Sequence, residues 1–364
     1  MNKIEASGES IFPVLSPESI KLDLFTPVVP IDKLHPSFKA LMESPGYYAA
    51  RKIILEILDY FFDPDGNFVE QFQTSGFDAR MWELYIYRYL RESGFELDRR
   101  YRNPDFYCTK FGATVCIEAM TVYPTQDEKG QIAKAPTPND PEEIKEKLMD
   151  FIPIKFGSAL FSKLKKRYWE IPHIKDKPIV FAIADFHNPF SLLWTYSALP
   201  NYLYGCSHEW SHDENGNLII TPKPISIHKV GEKEIPSGFF SLPDAENISA
   251  VLFSNSGTIA KFNRMGHLAG YSPKGVQMIR TGDCYNDDPK SDKPLSFSYV
   301  VGNPHFPETW GQGLSMFHNP NALHPIYPEL FSDIAHHIFQ NGQMHSFVKE
   351  FHPFASITQI LIEK

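Results

Sequence analysis

The sequence lacks a membrane-spanning hydrophobic run and has few cysteines. No apolar run reaches the 18 residues that a membrane helix needs, and the N-terminal stretch has no long apolar segment of the kind found in signal peptides. Only four cysteines occur among 364 residues, and none belongs to a CxxC pair, which argues against a disulfide framework. These absences predict a cytoplasmic protein with reduced cysteines and no membrane partner.

Basic charge is also scarce. Lys and Arg number 35 against 44 Asp and Glu, so the formal net charge is -9. This balance excludes a general basic coat for unselective binding of nucleic acid. A local basic cleft remains compatible with it, because salt screens charges beyond about 8 Å. With 42% hydrophobic residues, the chain has a globular composition and can form one large core or two smaller ones.

Thirty prolines predict a loop-rich fold around a compact centre. Residues 1–45 are punctuated by proline, and we expect an irregular arm there. A largely apolar segment predicts a buried helix over 47–62. A second helix is predicted over 77–93, because its apolar residues Trp82, Ile86 and Leu90 recur at every fourth position.

The elements expected after the second helix are strands at 95–99, 104–109 and 113–122, a surface loop at 124–141, helices near 141–151 and 155–170, a buried strand at 178–186, and shorter strands at 248–253, 296–301 and 356–362. The order predicts an α/β fold with a mixed central sheet flanked by helices. We expect an N-terminal helical arm packed on the core (1–70), the core itself (71–200) and a strand-containing C-terminal extension (201–364).

One hairpin is expected to bring two acidic residues together. Gly112 suits a tight turn, because glycine accepts positive φ without a steric penalty. A hairpin that is symmetric about Phe111 and Gly112 places Asp105 directly opposite Glu118.

Opposed carboxylates in a sheet repel each other, so this arrangement requires a shared proton, a cationic side chain or a divalent metal. We favour a metal, because two carboxylates with backbone carbonyl and water oxygens suit Mg²⁺ or Mn²⁺. The alternative is an edge hairpin whose carboxylates face solvent. Its apolar neighbours Phe106, Val115 and Ile117 argue against such an edge.

These residues also resemble a known family pattern. A helical Glu83, the pair PD at 104–105 and the strand residues EAM at 118–120 look like the PD-(D/E)XK nuclease motif, and the resemblance covers roughly 77–186. The same region resembles a largely uncharacterised bacterial family of restriction-endonuclease-like proteins. The segment FHNPNALHP (317–325) is similar to the C-terminal portion of that family.

The resemblance implies a restriction-endonuclease-like fold and a Mg²⁺- or Mn²⁺-dependent endonuclease that hydrolyses phosphodiester bonds, most often in DNA. It places the metal on Asp105, Glu118 and the Ala119 carbonyl, with Glu83 holding a second ion or a metal-bound water. A role in restriction or defence, a homodimer and a partner protein encoded in a defence operon are further expectations from the resemblance.

The motif lysine is missing. The pattern places lysine two residues after the strand glutamate, where this chain has Met120. Related families move the lysine to the following helix, and the apolar stripe of the predicted helix is formed by Phe156, Ala159, Leu160, Leu164 and Tyr168. Lys163 and Arg167 fall within or beside this stripe, so we choose Lys163 as the catalytic lysine, with Arg167 and Lys155 as the next candidates. The alternative is that Lys163 extends along apolar surface towards water.

Other basic residues are expected to contact the backbone of a nucleic acid. They are Lys155, Arg167, Arg99, Arg100 and Arg102.

Two rival functions remain open. The loss of the motif lysine at Met120 is compatible with a catalytically inactive, nuclease-like module that only binds nucleic acid. Alternatively, the working residues lie in the C-terminal half around His318 and His324, although these histidines lack a recognised zinc-ligand spacing.

Overall fold

The computed structural model describes residues 23–61, 63, 66–124, 141–188 and 191–363. The predicted surface loop at 124–141 lies almost wholly outside these residues, as does the first half of the predicted arm. Across the described ranges, no helix is long and apolar enough to cross a membrane.

Within these ranges the α-helices are α1 (Pro36–Glu43), α2 (Tyr48–Leu58), α3 (Phe68–Gln73), α4 (Phe77–Glu92), α5 (Pro141–Glu146), α6 (Ile152–Leu164), α7 (Ala198–Tyr204) and α8 (Ile259–Leu268). A π-helical turn, Lys147–Phe151, joins α5 to α6.

The strands are β1 (Glu96–Asp98), β2 (Phe106–Lys110), β3 (Ala113–Val122), β4 (Ile179–Asp185), β5 (Cys206–His212), β6 (Leu218–Pro224), β7 (Ile227–Val230), β8 (Lys233–Pro236), β9 (Ala250–Ser254), β10 (Val276–Cys284), β11 (Leu295–Val300), β12 (Leu314–His318), β13 (Ala335–Gln340), β14 (Gln343–Phe347) and β15 (Pro353–Ile362).

A mixed eight-stranded sheet forms the centre of the molecule, in the order β1-β2-β3-β4-β9-β12-β13-β14. The pairs β3/β4, β4/β9 and β12/β13 are parallel, and the other neighbours are antiparallel. The predicted α/β class with a mixed central sheet is therefore confirmed. Four of the eight strands follow residue 200, so the sheet continues across the boundary expected between core and extension.

Helices cover both faces of this sheet. Successive side chains of β3 point to opposite faces, and most of them are buried, so both faces must be covered. Ile117 points to the face covered by α2 and α4, where Trp82 is fully buried and donates its indole N–H to the Ala182 carbonyl at 3.0 Å. Cys116 points to the opposite face, which is covered by α6 and α7. Because β3 and β4 are buried on both sides, their sequences are nearly continuous apolar runs.

Two predicted elements are wrong in detail. The segment expected to be an irregular arm contains α1, which begins where the His35 side chain accepts a hydrogen bond from the Ser37 amide. The helix expected to reach residue 170 ends at Leu164. Arg167 then takes a left-handed conformation (φ 49°), which turns the chain and starts a separate 3-10 turn.

A second sheet, β11-β10-β15, is tied to α8 through a buried charge cluster. Glu308 accepts hydrogen bonds from Lys261 at 2.8 Å and from two nitrogens of Arg264, each at 2.8 Å. Arg280 of β10 lies 3.3 Å from the same carboxylate. These cations hold the pKa of Glu308 well below its usual range despite burial.

Buried histidines beside this cluster should make the fold sensitive to acid. The pKa of His337 and of His352 is lowered to about 3, mainly by burial; neighbouring histidines contribute to the shift at His337, and the Arg280 and Lys261 charges contribute at His352. The unfolded chain takes up these protons near pH 6.5, so each histidine contributes stability above that pH that is lost as pH falls. Below pH 6.5 the free energy of unfolding should drop by up to about 1.4 kcal/mol per pH unit for each histidine.

Urea unfolding between pH 7 and pH 4.5 measures this slope. The His352→Gln variant should show a shallower slope than the wild type, whereas His305→Gln, at an exposed position, should leave the slope unchanged. Equal slopes for the wild type and His352→Gln would contradict the prediction.

Candidate active site

The β2/β3 hairpin has the register expected from the sequence. Phe111 and Gly112 form the turn with φ of 53° and 78°, and Phe106 pairs with Ile117. One residue beyond this pair, the same register brings Asp105 to the position opposite Glu118. The two carboxylates therefore meet at the end of β2.

Asp105 is held by two hydrogen bonds. Its Oδ2 accepts the backbone N–H of Ala119 at 2.8 Å, and its carbonyl accepts Arg99 Nη1 at 3.0 Å. Asp105 directly precedes β2, and its side chain accepts a hydrogen bond from a β3 amide where the backbone pairing of the two strands has ended. This geometry fixes the carboxylate against β3.

Glu118 is almost completely buried, with 3% of its surface exposed. Its Oε1 accepts Lys163 Nζ at 2.5 Å and the Tyr168 hydroxyl at 2.6 Å. Its Oε2 is buried and has no hydrogen-bond partner among the described residues. A buried carboxylate oxygen without a partner is unfavourable, so this atom can accept a further donor or a cation.

Glu83 reaches the same region from α4. Arg80, one turn earlier, donates from Nη1 to both oxygens of Glu83, at 3.0 and 2.7 Å. Burial raises the pKa of Glu83, and the Arg80 charge opposes this increase. In this structure Glu83 is therefore an ion-paired carboxylate.

Negative charge is unfavourable at this site. Burial raises the pKa of Asp105 to about 8, and repulsion from Glu118 and Glu83 adds to the shift. The Ala119 amide and Lys163 counteract it only in part. Without an additional cation, the site therefore disfavours the ionised form of the Asp105 carboxyl group.

These groups surround a pocket of about 260 Å³, which we call the acidic pocket. The residues that line it are Ala79, Trp82, Glu83, Asp105, Ala119, Met120, Thr121, Tyr123 and Lys163. Three of the four residues expected to be catalytic therefore line one pocket, and Glu118 is buried beneath it with its carboxylate bonded to Lys163.

The donor set fits one hard divalent ion better than two. Among the described residues, no group of three or more His, Cys, Asp or Glu side chains is arranged to hold a metal. Glu118 lies close enough to Asp105 for its charge to raise the pKa of Asp105, and the buried Glu118 Oε2 has no hydrogen-bond partner among the described residues. An ion here would be held by these two carboxylates and completed by backbone carbonyl and water oxygens. The second ion expected at Glu83 would compete with Arg80 for that carboxylate.

Three of the basic residues expected to contact nucleic acid lie near the acidic pocket or on the adjacent surface. Lys155 donates to the carbonyl of Tyr123, a pocket residue, at 3.4 Å. Arg99 is turned inward and donates a hydrogen bond to the Asp105 carbonyl. Arg102 is exposed on the segment that precedes Asp105.

The other two basic residues are engaged by carboxylates. Arg167 forms ion pairs with Glu170 and Asp244, both at 2.7 Å, and does not line the acidic pocket. Arg100 pairs with Asp98 at 2.6 Å, although most of its side chain is exposed. Exposed pairs of this kind are weak, so Arg100 could exchange its partner for a phosphate.

Sequence reasoning missed two residues that complete the site. The predicted helix over 155–170 places Tyr168 on its apolar stripe, but the left-handed Arg167 turns the Tyr168 hydroxyl towards Glu118. Arg80 lies three residues before Glu83, a spacing that favours ion pairs on a helix and could have indicated the contact.

The histidines of the C-terminal half are bonded to neighbouring groups. His318 Nε2 lies 3.0 Å from His336 Nδ1, and the other ring nitrogen of His336 lies 2.9 Å from the Phe331 carbonyl. His324 contributes its backbone carbonyl to a hydrogen bond from Ser249. No zinc-like cluster forms around these side chains within the described ranges.

No family model, no curated protein and no solved structure matches this chain. The resemblance to PD-(D/E)XK nucleases therefore depends on the residues and on their geometry.

Removing the Tyr168 hydroxyl should destabilise the fold. In Tyr168→Phe, buried Glu118 loses one of its two donors, so the free energy of unfolding should fall by about 1–3 kcal/mol. Urea unfolding at pH 7 measures the change, with Tyr60→Phe, at an exposed ring, as the matched control. Equal stability of Tyr168→Phe and Tyr60→Phe would show that the hydroxyl does not support Glu118.

Proposed function

We propose that this protein is a metal-dependent nuclease with a restriction-endonuclease-like core, and that it hydrolyses phosphodiester bonds in DNA. The observation that carries this proposal is the convergence of Asp105 and Glu118 with a lysine from the following helix. Buried, opposed carboxylates with an unpartnered oxygen are unfavourable in an apoprotein and suit a cation.

The order of elements supports the finer fold assignment. The chain runs from α4 through the antiparallel strands β1, β2 and β3, crosses over through α6, and returns as β4 parallel to β3. The acidic residues lie on the helix and strands of this unit, where the PD-(D/E)XK pattern places them.

Asp105 and Glu118, with the Ala119 carbonyl, would hold Mg²⁺ or Mn²⁺. Such an ion, when bound, neutralises phosphate charge and makes a coordinated water more acidic. The chain itself contributes two oriented carboxylates: the Ala119 amide fixes Asp105, and Tyr168 and Lys163 fix Glu118. Preorganisation of this kind avoids reorganisation during the reaction.

Lys163 takes the role of the lysine that is missing at Met120. Its ammonium pairs with Glu118 and also lines the acidic pocket, so it can donate to a phosphate oxygen that enters the pocket. Lys155, near the Tyr123 carbonyl, and exposed Arg102 supply positive charge along the approach. Local charge of this kind is compatible with the overall net charge of -9.

One observation favours the inactive module as the second candidate. Arg80 occupies both oxygens of Glu83, and Lys163 is itself engaged by Glu118. A protein in which these pairs persist would bind nucleic acid and a cation without cleaving. Assignment to defence, a homodimer and an operon-encoded partner stay proposals based on the sequence resemblance.

Substituting Asp105→Asn should abolish cleavage. The variant keeps the size of the side chain but removes one charge from the pair of carboxylates, so the rate should fall at least about 100-fold. The assay follows cleavage of linear duplex DNA, single-stranded DNA and RNA with about 5 mM Mg²⁺ or Mn²⁺, which saturates a weak site.

Asp32→Asn is the matched control, because Asp32 is an exposed carboxylate that does not line the acidic pocket. It should cleave at the wild-type rate. Wild-type cleavage by Asp105→Asn would overturn the active-site assignment. Metal and nucleic-acid binding without cleavage by the wild-type protein would favour the inactive module.

A further inference from the structure

A second and larger pocket lies on the C-terminal half of the central sheet. It has a volume of about 1020 Å³ and shares no lining residue with the acidic pocket. Its walls come from the α5 region, α7, β5, β12 and β13, with Tyr285 from the segment after β10. We call it the aromatic pocket, because rings of Tyr196, Tyr285, Phe317 and Trp210 line it.

A connected set of hydrogen bonds fixes the floor of the aromatic pocket. The Tyr196 hydroxyl lies 2.6 Å from the Tyr285 hydroxyl and 3.2 Å from His337 Nε2. The other ring nitrogen of His337 is 2.8 Å from the Ser346 hydroxyl, and the His337 ring stacks on Phe317 with centroids 4.6 Å apart. The floor is therefore a hydrogen-bonded cluster in which the Tyr196 and Tyr285 rings are nearly perpendicular, at 78°, and its hydroxyl and imidazole groups can donate or accept hydrogen bonds.

The floor carries no charge at neutral pH. Burial lowers the pKa of His337 to about 3 and raises the pKa of Tyr196 to about 12. An anionic group would consequently find no counter-charge there, whereas a neutral planar heterocycle would find ring faces and hydroxyls.

The lining of the aromatic pocket also includes two groups without intramolecular partners. Within the part of the chain that the structure describes, the Asn201 side-chain amide makes no hydrogen bond and the Lys145 ammonium makes no ion pair. The Trp210 ring is 57% exposed where it lines the pocket. The nearby Glu209 carboxylate is already paired with Lys223 at 3.3 Å.

We propose that the aromatic pocket binds a mononucleotide. The base lies on the aromatic surface, where Trp210 offers an exposed face for stacking and the Asn201 amide can form paired hydrogen bonds with a base edge. The phosphate lies at Lys145, the unpaired cation of the described lining. The volume exceeds that of a base alone and leaves room for the sugar. This site is independent of the proposed nuclease chemistry.

Titration of the full-length protein with AMP, GMP, CMP and UMP tests the proposal. The assay is isothermal calorimetry in EDTA, which keeps divalent cations out of the acidic pocket. At least one nucleotide should bind with a saturable 1:1 isotherm. Trp210→Ala should weaken that binding by about tenfold, as expected for the loss of one stacking partner. Trp169→Ala, which removes a tryptophan outside the pocket, should leave the affinity unchanged.

Lys145→Ala separates the phosphate contact from the base contact. It should weaken binding of the nucleotide several-fold and leave binding of the corresponding nucleoside unchanged. Asp105→Ala should bind the nucleotide like the wild type, since the two pockets are separate. No saturable binding of any of the four nucleotides, or binding that is insensitive to Trp210→Ala in a protein with a native circular dichroism spectrum, would overturn the proposal.

Discussion

The register of one hairpin determines the position of the acidic residues. The Phe111–Gly112 turn aligns β2 with β3 so that Asp105 and Glu118 meet at the end of the shorter strand. A slip of one residue would turn one of the two carboxylates to the other face of the sheet. Because β3 is buried on both faces, such a slip would also expose its apolar side chains, so the packing of the core enforces the geometry of the site.

Both layers of the fold then converge on this hairpin. From one face, α4 brings Glu83 together with its partner Arg80. From the other face, α6 and the turn after it bring Lys163 and Tyr168 to the same oxygen of Glu118. These contacts offset the burial of one carboxylate oxygen and leave the second oxygen without a partner. The described residues thus neutralise the two carboxylates only in part, and Glu118 Oε2 is left able to accept a further donor or a cation.

The parts of this architecture that depend on local sequence could be predicted. Helix periodicity located α2 and α4, and a glycine turn fixed the pairing of Asp105 with Glu118. Lys163 could be selected because its position relative to an apolar stripe is a local property. The end of α6 could not be predicted from the sequence. The chain turns there because Arg167 takes a left-handed conformation, and no glycine at that position indicates the turn. The addition of β9, β12, β13 and β14 to the central sheet also escaped prediction, because pairing between strands distant in sequence depends on contacts that periodicity does not encode.

The most direct test of the central claim, that Asp105 and Glu118 share one cation, is a titration of metal-free protein with Mn²⁺ followed by electron paramagnetic resonance. One Mn²⁺ should bind per chain, and Glu118→Gln should lose this site. Lys163→Met should bind Mn²⁺ more tightly than the wild type, because the ammonium no longer competes for Glu118. Identical Mn²⁺ binding by the wild type and Glu118→Gln, or weaker binding by a folded Lys163→Met variant, would contradict the claim.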